Sequence, residues 1–153
     1  MTHQSLTGKN IFITGASGGI GAEIARQSAA KGANLYLFAR SLDRLTMLKE
    51  DILKSHSVNI EVFKLDVSDT DAIKTTFSEV IQQVDTVDVL VNNAGFGVFR
   101  EAHEAAIDEI KGMFNVNVIG LMACTSMVLP VMRKQREGHI INIASQAGKL
   151  ATP

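Results

Sequence analysis

The chain has 153 residues, 46% hydrophobic and 20% charged, a composition typical of one folded domain with a buried core and not of a disordered chain. Its formal net charge of -1 at pH 7, with 15 Lys and Arg against 16 Asp and Glu, gives no support for a nucleic acid or an anionic membrane as partner. A single cysteine, Cys124, excludes an internal disulfide.

Five apolar runs are predicted to be strands. Val, Ile, Leu and Phe fill them without polar alternation, which is typical of parallel strands covered on both faces. In chain order they are Asn10–Thr14, Asn34–Ala39, Asn59–Leu65, Val87–Val91 and His139–Ala144.

Helix-length segments with apolar residues three and four apart lie between these runs. Helices are predicted at Ile20–Lys31, Leu42–Lys54, Thr70–Gln83 and about Glu104–Arg133, the last bent near Asn117. The residues predicted to face inward are Ile20, Ile24 and Ala25 in the first helix, Leu45, Leu48 and Ile52 in the second, and Ile73, Phe77, Val80 and Ile81 in the third. The alternation predicts an α/β fold with a doubly wound parallel sheet, as one domain over residues 1–153.

The segment Thr14–Gly21 ends the first predicted strand and opens the first predicted helix. Its glycines at positions 15, 19 and 21 differ in spacing from the common dinucleotide fingerprint, and no Gly-Lys-Ser/Thr follows as in a P-loop. Unpartnered N–H groups at a helix N-terminus bind phosphate, and glycine lets a ligand approach the backbone. The loop therefore predicts a bound dinucleotide; a tight turn without a ligand is the alternative.

The end of the second predicted strand bears on which dinucleotide is bound. In such folds an acidic residue there binds the ribose hydroxyls of NAD, whereas an arginine accommodates the 2′-phosphate of NADP. This chain has Arg40 one residue past the strand and no acid at its end. Since a guanidinium suits a phosphate, NADP(H) is the predicted cofactor. Asp43 keeps NAD(H) open, and a solvated loop arginine is the alternative reading of Arg40.

Polar segments also close the later strands. Asp66-Val67 follows the third strand, Asn92-Asn93-Ala94-Gly95 the fourth, and Ser145 the fifth, while Asn117 lies in the long fourth helix. Together with the Thr-Gly-x-x-x-Gly-Ile-Gly loop, this set resembles the short-chain dehydrogenase/reductase family over essentially the whole chain. The resemblance implies a three-layer Rossmann fold with strand order 3-2-1-4-5, and hydride transfer between a small-molecule carbonyl compound and an alcohol.

The resemblance also implies roles for individual residues. Ser145 would hydrogen-bond the substrate carbonyl oxygen, where negative charge grows, and Asn117 would interrupt the helix and hold a water in a proton relay. Asn115 is the competing choice for the second role. The implied cofactor groove consists of Thr14, Gly15, Ser17, Gly19, Ile20, Gly21, Arg40, Asp66, Val67, Asn92, Ala94 and Gly95.

The Tyr-x-x-x-Lys element of the family is not in this sequence. Its Lys lowers the pKa of the Tyr, which acts as general acid and base. Tyr36, the only tyrosine, lies in the predicted second strand and cannot reach Ser145, while Lys149 is too close to Ser145 and has no Tyr partner. We therefore expect a fragment of a longer protein, truncated after the fifth strand and inactive alone. A non-catalytic dinucleotide-binding module is the alternative, and a Rossmann-like methyltransferase is a weaker one.

Location, assembly and metal binding complete the expectations. The polar segment Met1–Lys9 lacks the apolar core of a signal peptide, and no apolar run reaches the length of a membrane span. We expect a cytoplasmic protein without a membrane partner, and the resemblance implies a homo-oligomer in the intact protein. No metal site is expected, because the histidines are far apart in sequence, at His3, His56, His103 and His139.

Overall fold

In the computed structural model, which describes residues 5–98, 101 and 103–145, five parallel strands form one sheet in the order β3-β2-β1-β4-β5. This order confirms the prediction. The predicted ends of the third, fourth and fifth strands differ from the observed ones by one or two residues. The strands are β1 Asn10–Thr14, β2 Asn34–Ala39, β3 Ile60–Lys64, β4 Val89–Asn92 and β5 His139–Asn142.

Helices cover both faces of the sheet, which gives the predicted three layers. Asp69 begins α3, because its side chain accepts hydrogen bonds from the backbone N–H groups of Asp71 and Ala72. Gly32 follows α1 with a φ of +86°, a conformation that glycine adopts without strain. The helices are α1 Gly19–Ala30, α2 Leu42–Leu53, α3 Thr70–Gln83, α4 Ile107–Phe114 and α5 Leu121–Gln135, with a π-helical segment at Asn115–Gly120 between the last two.

Two hydrophobic clusters, one on each face, hold the layers together. On one face Ile13 and Leu37 of the sheet pack with residues of α1 and α2, and Leu45, Leu48 and Ile52 are buried there as predicted. On the other face the sheet packs against α3 and α5, and the largest fully buried side chains include Phe12, Phe38 and Phe77. Phe12 and Phe38 each contact Phe77 with ring centroids 5.8 and 4.8 Å apart.

One predicted core residue lies at the surface. The side chain of Ile20 is 61% exposed, so its inward assignment is wrong. It is the second residue of α1, in the first turn of the helix, whereas the buried residues of α1 begin at Gly21. The apolar spacing predicted the helix and its apolar face, but it did not show which turns of that face are buried against the sheet.

The fourth predicted helix is a single helical run, Ile107–Gln135, with the π-helical segment at its predicted bend. By length and composition alone this run could cross a membrane, so the prediction that no segment reaches that length is wrong. The prediction counted only uninterrupted apolar residues, whereas a helical span tolerates interspersed small polar ones. Cys124, Val128 and Met132 bury one face of the run in the cluster shared with α3.

Candidate functional site

A groove of about 920 Å³ opens at the carboxyl ends of β1 to β4. Because the strands are parallel and in register, their carboxyl ends meet at one edge, and the order reverses between β1 and β4. Ligands of open α/β sheets bind at such a reversal. The residues predicted for the cofactor that line the groove are Gly15, Ser17, Arg40, Asp66, Val67, Ala94 and Gly95.

The glycine loop presents open backbone at the N-terminus of α1. Gly18 is the residue before the helix and offers no side chain to the N–H groups of the first turn. A Cβ on Gly18 or Gly19 would meet no atom within 4 Å, and Gly19 has a φ of +54°. This end of the helix is therefore accessible to a ligand, and its unpaired N–H groups and dipole suit an anion.

Thr14 lies behind the groove and joins the glycine loop to the segment after β4. Its hydroxyl oxygen accepts hydrogen bonds from the backbone N–H groups of Asn93 and Ala94, each at 3.1 Å, and donates to the carbonyl of Val91 at 3.4 Å. Thr14 is 2% exposed. Thr14 therefore supports the wall of the groove from behind and does not line the groove.

Asn93 holds the same two segments together, and the sequence reasoning did not select it. Its side-chain amide donates to the carbonyls of Thr14 and Gly15 at 3.2 and 3.1 Å. A Cβ on Gly21 would lie only 2.5 Å from the Asn93 amide nitrogen, and one on Gly15 would lie 2.8 Å from Cα of Ala94. Both glycines therefore permit close packing beneath the groove. The adjacent pair Asn92-Asn93 was the available signal, but the spacing does not show which of the two faces the loop.

Asn92 also lies behind the groove, on the other face of the sheet. It is 3% exposed, and its amide donates to the hydroxyl of Thr125 at 3.0 Å and to the side-chain oxygen of Asn142 at 2.9 Å. Since Asn142 is its register partner on β5, the contact links the ends of β4, β5 and α5. Asn92 thus supports the sheet edge below the site.

Positive charge gathers at the end of the groove formed by β2, β3 and α2. Arg40 lines it as predicted, together with Arg44 and Lys64, which the sequence reasoning did not select. Asp43 and Asp66 line the same region. The sequence alone did not indicate Lys64, which lies two residues before Asp66. Only the pairing of β3 with β2 places it beside the residue before Arg40.

Asp66 is held as a carboxylate by its neighbours. Burial tends to raise its pKa, but hydrogen bonds from the Ser68 backbone and hydroxyl, with the nearby charge of Arg40, lower the pKa overall. The two hydrogen bonds measure 2.9 and 2.8 Å and end on the same carboxylate oxygen, Oδ1. At neutral pH the side chain is therefore an ionised acceptor at the groove.

Asn117 lies in the π-helical segment and is tied to the loop after β4. Its amide nitrogen donates to the carbonyl of Phe96 at 2.8 Å, and its Oδ1 accepts from the N–H of Phe96 at 3.1 Å. Asn115, the alternative in the sequence, is exposed and makes no side-chain hydrogen bond to a described residue. Asn117 is therefore the residue that positions Phe96, which lines the groove. Its predicted role in holding a water stays a prediction.

Ser145 lies three residues past β5 and is exposed, on the carboxyl side of the strand. The groove also opens at the carboxyl ends of the strands. Lys149, which the sequence analysis found too close to Ser145 to act as the family's lysine, is outside the described residues.

Cys124 is a buried core residue and does not line the groove. Burial raises the pKa of its thiol to about 12, so the sulfur is protonated at neutral pH. In the part of the chain that the structure describes, no three His, Cys, Asp or Glu side chains are grouped to hold a metal ion.

Comparisons with known proteins match this architecture. The family model described as short chain dehydrogenase matches residues 9–153. An uncharacterised oxidoreductase of Staphylococcus saprophyticus is 38% identical over 145 residues, which cover 95% of this chain and 58% of the relative. The NADP-dependent 3-hydroxy acid dehydrogenase of Schizosaccharomyces pombe is 36% identical over 149 residues, or 94% of this chain and 56% of the relative. This chain thus spans little more than half the length of these two relatives.

A solved structure agrees at the level of the fold. The crystal structure of a metagenomic short-chain oxidoreductase in complex with NADP superposes with a TM-score of 0.92 at 36% sequence identity. The match covers 97% of this chain and 67% of the other.

Proposed function

Because the chain belongs to the short-chain dehydrogenase family, we propose that it is the cofactor-binding part of an NADP(H)-dependent oxidoreductase. The proposed reaction interconverts a carbonyl compound and an alcohol by hydride transfer. The observation that carries the cofactor assignment is Arg40, which lies directly after β2 and lines the groove. NAD(H) is the second choice, since Asp43 lines the same region.

The exposed backbone at the N-terminus of α1 and the charged side chains of the groove would suit the parts of a dinucleotide. The open N-terminus of α1 at Gly18 and Gly19 would hold the diphosphate. Arg40 would bind the 2′-phosphate, and the Asp66 carboxylate would accept a hydrogen bond from the adenine amino group. Bound NADPH would supply the hydride. The Oγ of Thr14 and the amide of Asn93 would keep the groove walls at a constant separation.

At the substrate end, the proposal assigns two residues of this chain. The Ser145 hydroxyl would donate a hydrogen bond to the carbonyl oxygen, on which negative charge develops as the hydride arrives. Asn117 acts as a positioning residue through its two hydrogen bonds to Phe96. The proposed activity is that of the full-length protein, since this chain contains no Tyr-x-x-x-Lys element.

We also propose a cytoplasmic homo-oligomer. The helical run Ile107–Gln135 exposes large apolar side chains, a pattern that supports contact with another protein surface. A buried free thiol at Cys124 suits a reducing compartment. A monomeric mass for the full-length protein by light scattering would contradict the assembly. The exposed apolar residues of the run are Ile107, Phe114, Val118, Ile119, Met122 and Leu129.

Isothermal titration of the full-length protein with NADPH and NADH tests the cofactor assignment. We expect NADPH to bind more tightly than NADH. Arg40→Gln should lower the ratio of the two affinities about tenfold or more, because a hydrogen bond to a charged group is lost. Arg133→Gln, which removes an exposed arginine on α5, should leave the preference unchanged. Equal affinities in the unmodified protein, or no binding, would overturn the assignment.

A screen of ketones and aldehydes with NADPH tests the reaction. Oxidation of NADPH that depends on the carbonyl compound and falls in Ser145→Ala would support it. Tight NADPH binding without turnover of any compound would favour a non-catalytic dinucleotide-binding module.

A further inference from the structure

We propose that Ser68 is a positioning residue for the base of the cofactor. It holds one oxygen of the Asp66 carboxylate and leaves the other, Oδ2, to accept the hydrogen bond of the adenine amino group. The inference rests on the proposed function, in which Asp66 contacts the adenine. It adds a residue that does not line the groove and that the sequence analysis did not select.

Two hydrogen bonds from one residue restrain the Asp66 side chain. The backbone N–H and the hydroxyl of Ser68 both donate to Oδ1, at 2.9 and 2.8 Å. The first is the local bond from backbone to side chain that aspartate commonly forms in turns, and the second comes from the Ser68 side chain. Rotation of the carboxylate away from this orientation therefore breaks two hydrogen bonds instead of one.

Packing does not fix this orientation, because Asp66 is exposed at the groove. Among the residues that the structure describes, Ser68 supplies every hydrogen bond to the carboxylate, and Oδ2 accepts none. The backbone is anchored separately, since the neighbours Leu65 and Val67 are buried and the Asp66 carbonyl accepts from the Asp69 N–H at 3.1 Å. What Ser68 controls is therefore the direction of the Asp66 side chain.

The same hydrogen bonds favour the charged form of the carboxylate. Burial tends to raise the pKa of Asp66, but the Ser68 donors and the nearby charge of Arg40 lower it overall. An ionised carboxylate only accepts hydrogen bonds, so its second oxygen attracts the exocyclic amino group of adenine and repels a carbonyl oxygen in its place. The carboxylate can therefore distinguish an amino group from an oxo group on the base.

The orientation of the carboxylate decides how fully this preference is expressed. A hydrogen bond weakens steeply as its angle departs from linearity, so a carboxylate that rotates freely loses part of the preference. Ser68 touches no part of the cofactor in this arrangement and acts only through Asp66. Its loss should therefore change the choice of base more than the affinity for dinucleotides in general.

Calorimetric titration with NADPH and with an NADPH analogue measures this choice. In the analogue hypoxanthine replaces adenine, so a carbonyl oxygen stands where the amino group was, and the 2′-phosphate is unchanged. We expect the full-length protein to bind NADPH about tenfold or more tightly than the analogue. Ser68→Ala should lower that ratio about three- to fivefold, because one of the two orienting hydrogen bonds is lost. Ser68→Thr keeps the hydroxyl and should keep the ratio.

A double substitution shows whether Ser68 acts through Asp66. Asp66→Ala removes the carboxylate and should bring the ratio close to one. In that background Ser68→Ala should change the ratio no further, because no side chain remains to be oriented. A further change as large as that in the unmodified background would overturn the inference, since Ser68 would then act by another route.

Ser55→Ala is the matched control. It removes a hydroxyl from an exposed serine between α2 and β3, on the amino side of that strand, and should leave the ratio unchanged. An unchanged ratio in Ser68→Ala, or equal affinities of the unmodified protein for the two nucleotides, would overturn the inference. Either result would leave the proposal of an NADP(H)-dependent oxidoreductase intact. Failure of the unmodified protein to bind NADPH would overturn both.

Discussion

The side chain of Thr14 connects three backbone groups that are about 80 residues away in sequence. Its hydroxyl accepts hydrogen bonds from the N–H groups of Asn93 and Ala94 and donates one to the carbonyl of Val91. Because Thr14 is buried, water cannot replace these partners without entry into the core. The Thr14 hydroxyl thus joins the glycine loop to the end of β4, together with the side-chain amide of Asn93.

Thr14→Val tests this role, since it removes the hydroxyl and keeps the branched shape. We expect a loss of about 1–3 kcal/mol in the free energy of unfolding, because two partly buried N–H groups lose their acceptor. Thr14→Ser keeps the hydroxyl and should lose less. Urea denaturation measures both variants, and equal stability of the Val and Ser variants would contradict the argument.

The π-helical segment Asn115–Gly120 braces the groove from both sides. Asn117 binds the backbone of Phe96 after β4, and Gly120 packs against the carbonyl of Val67 after β3. A π-helical turn holds one more residue than an α-helical turn, and such turns occur at functional sites. The π-helical segment therefore contacts both the segment after β4 and the segment after β3, which form two walls of the groove.

Gly120→Ala should disturb this element strongly, because the new Cβ would overlap the carbonyl oxygen of Val67. We expect a loss of about 2–3 kcal/mol in the free energy of unfolding, with weaker NADPH binding as the groove wall shifts.

Gly112→Ala is the control in the same helical run. The Cβ of the new alanine would lie 3.6 Å from Phe96 Cζ, which is an ordinary van der Waals contact. Alanine also stabilises a helix interior by up to about 1 kcal/mol relative to glycine. Chemical denaturation with NADPH titration measures both variants. A Gly120→Ala protein as stable as Gly112→Ala would exclude the packing argument.

For the whole molecule, the edge of the sheet opposite the groove is held by a buried carboxylate. Asp88 accepts hydrogen bonds from Lys9 Nζ at 2.8 Å, from the N–H of Asn10 at 2.8 Å and from the Thr86 hydroxyl at 3.0 Å. Burial tends to raise its pKa, but these three donors lower it overall. The network joins the amino ends of β1 and β4, so the groove and the stabilising charges lie at opposite edges.

This network predicts how stability depends on pH. Since the folded pKa of Asp88 lies below its unfolded value of about 3.9, its stabilisation is present above that value and is lost as pH falls through the folded pKa. Asp88→Asn should cost about 1–3 kcal/mol at pH 7 and flatten the loss of stability in acid.

Asp71→Asn is the matched control, because that carboxylate is 89% exposed. Urea denaturation at pH 7 and in acid measures both variants. An acid response that is unchanged in Asp88→Asn would contradict the assignment.

Local patterns predicted much of the fold. The runs of Val, Ile, Leu and Phe placed all five strands within one or two residues of their observed ends, and α3 has the predicted limits Thr70–Gln83. Ile20 was misplaced, because the 3.6-residue period gives a helix face but not where the sheet ends beside it. The family pattern supplied the strand order, which periodicity alone does not contain.

The sequence by itself determined the element types, the family and the glycine loop, because these depend on neighbouring residues. Only the tertiary structure decided which polar residues line the groove and which support it. Arg40 and Lys64 line the same groove because β2 pairs with β3, and Asn93 reaches Thr14 because β1 lies beside β4. The members of these two pairs lie about 25 and 80 positions apart in sequence, and strand pairing across the sheet brings them together, which no local pattern encodes.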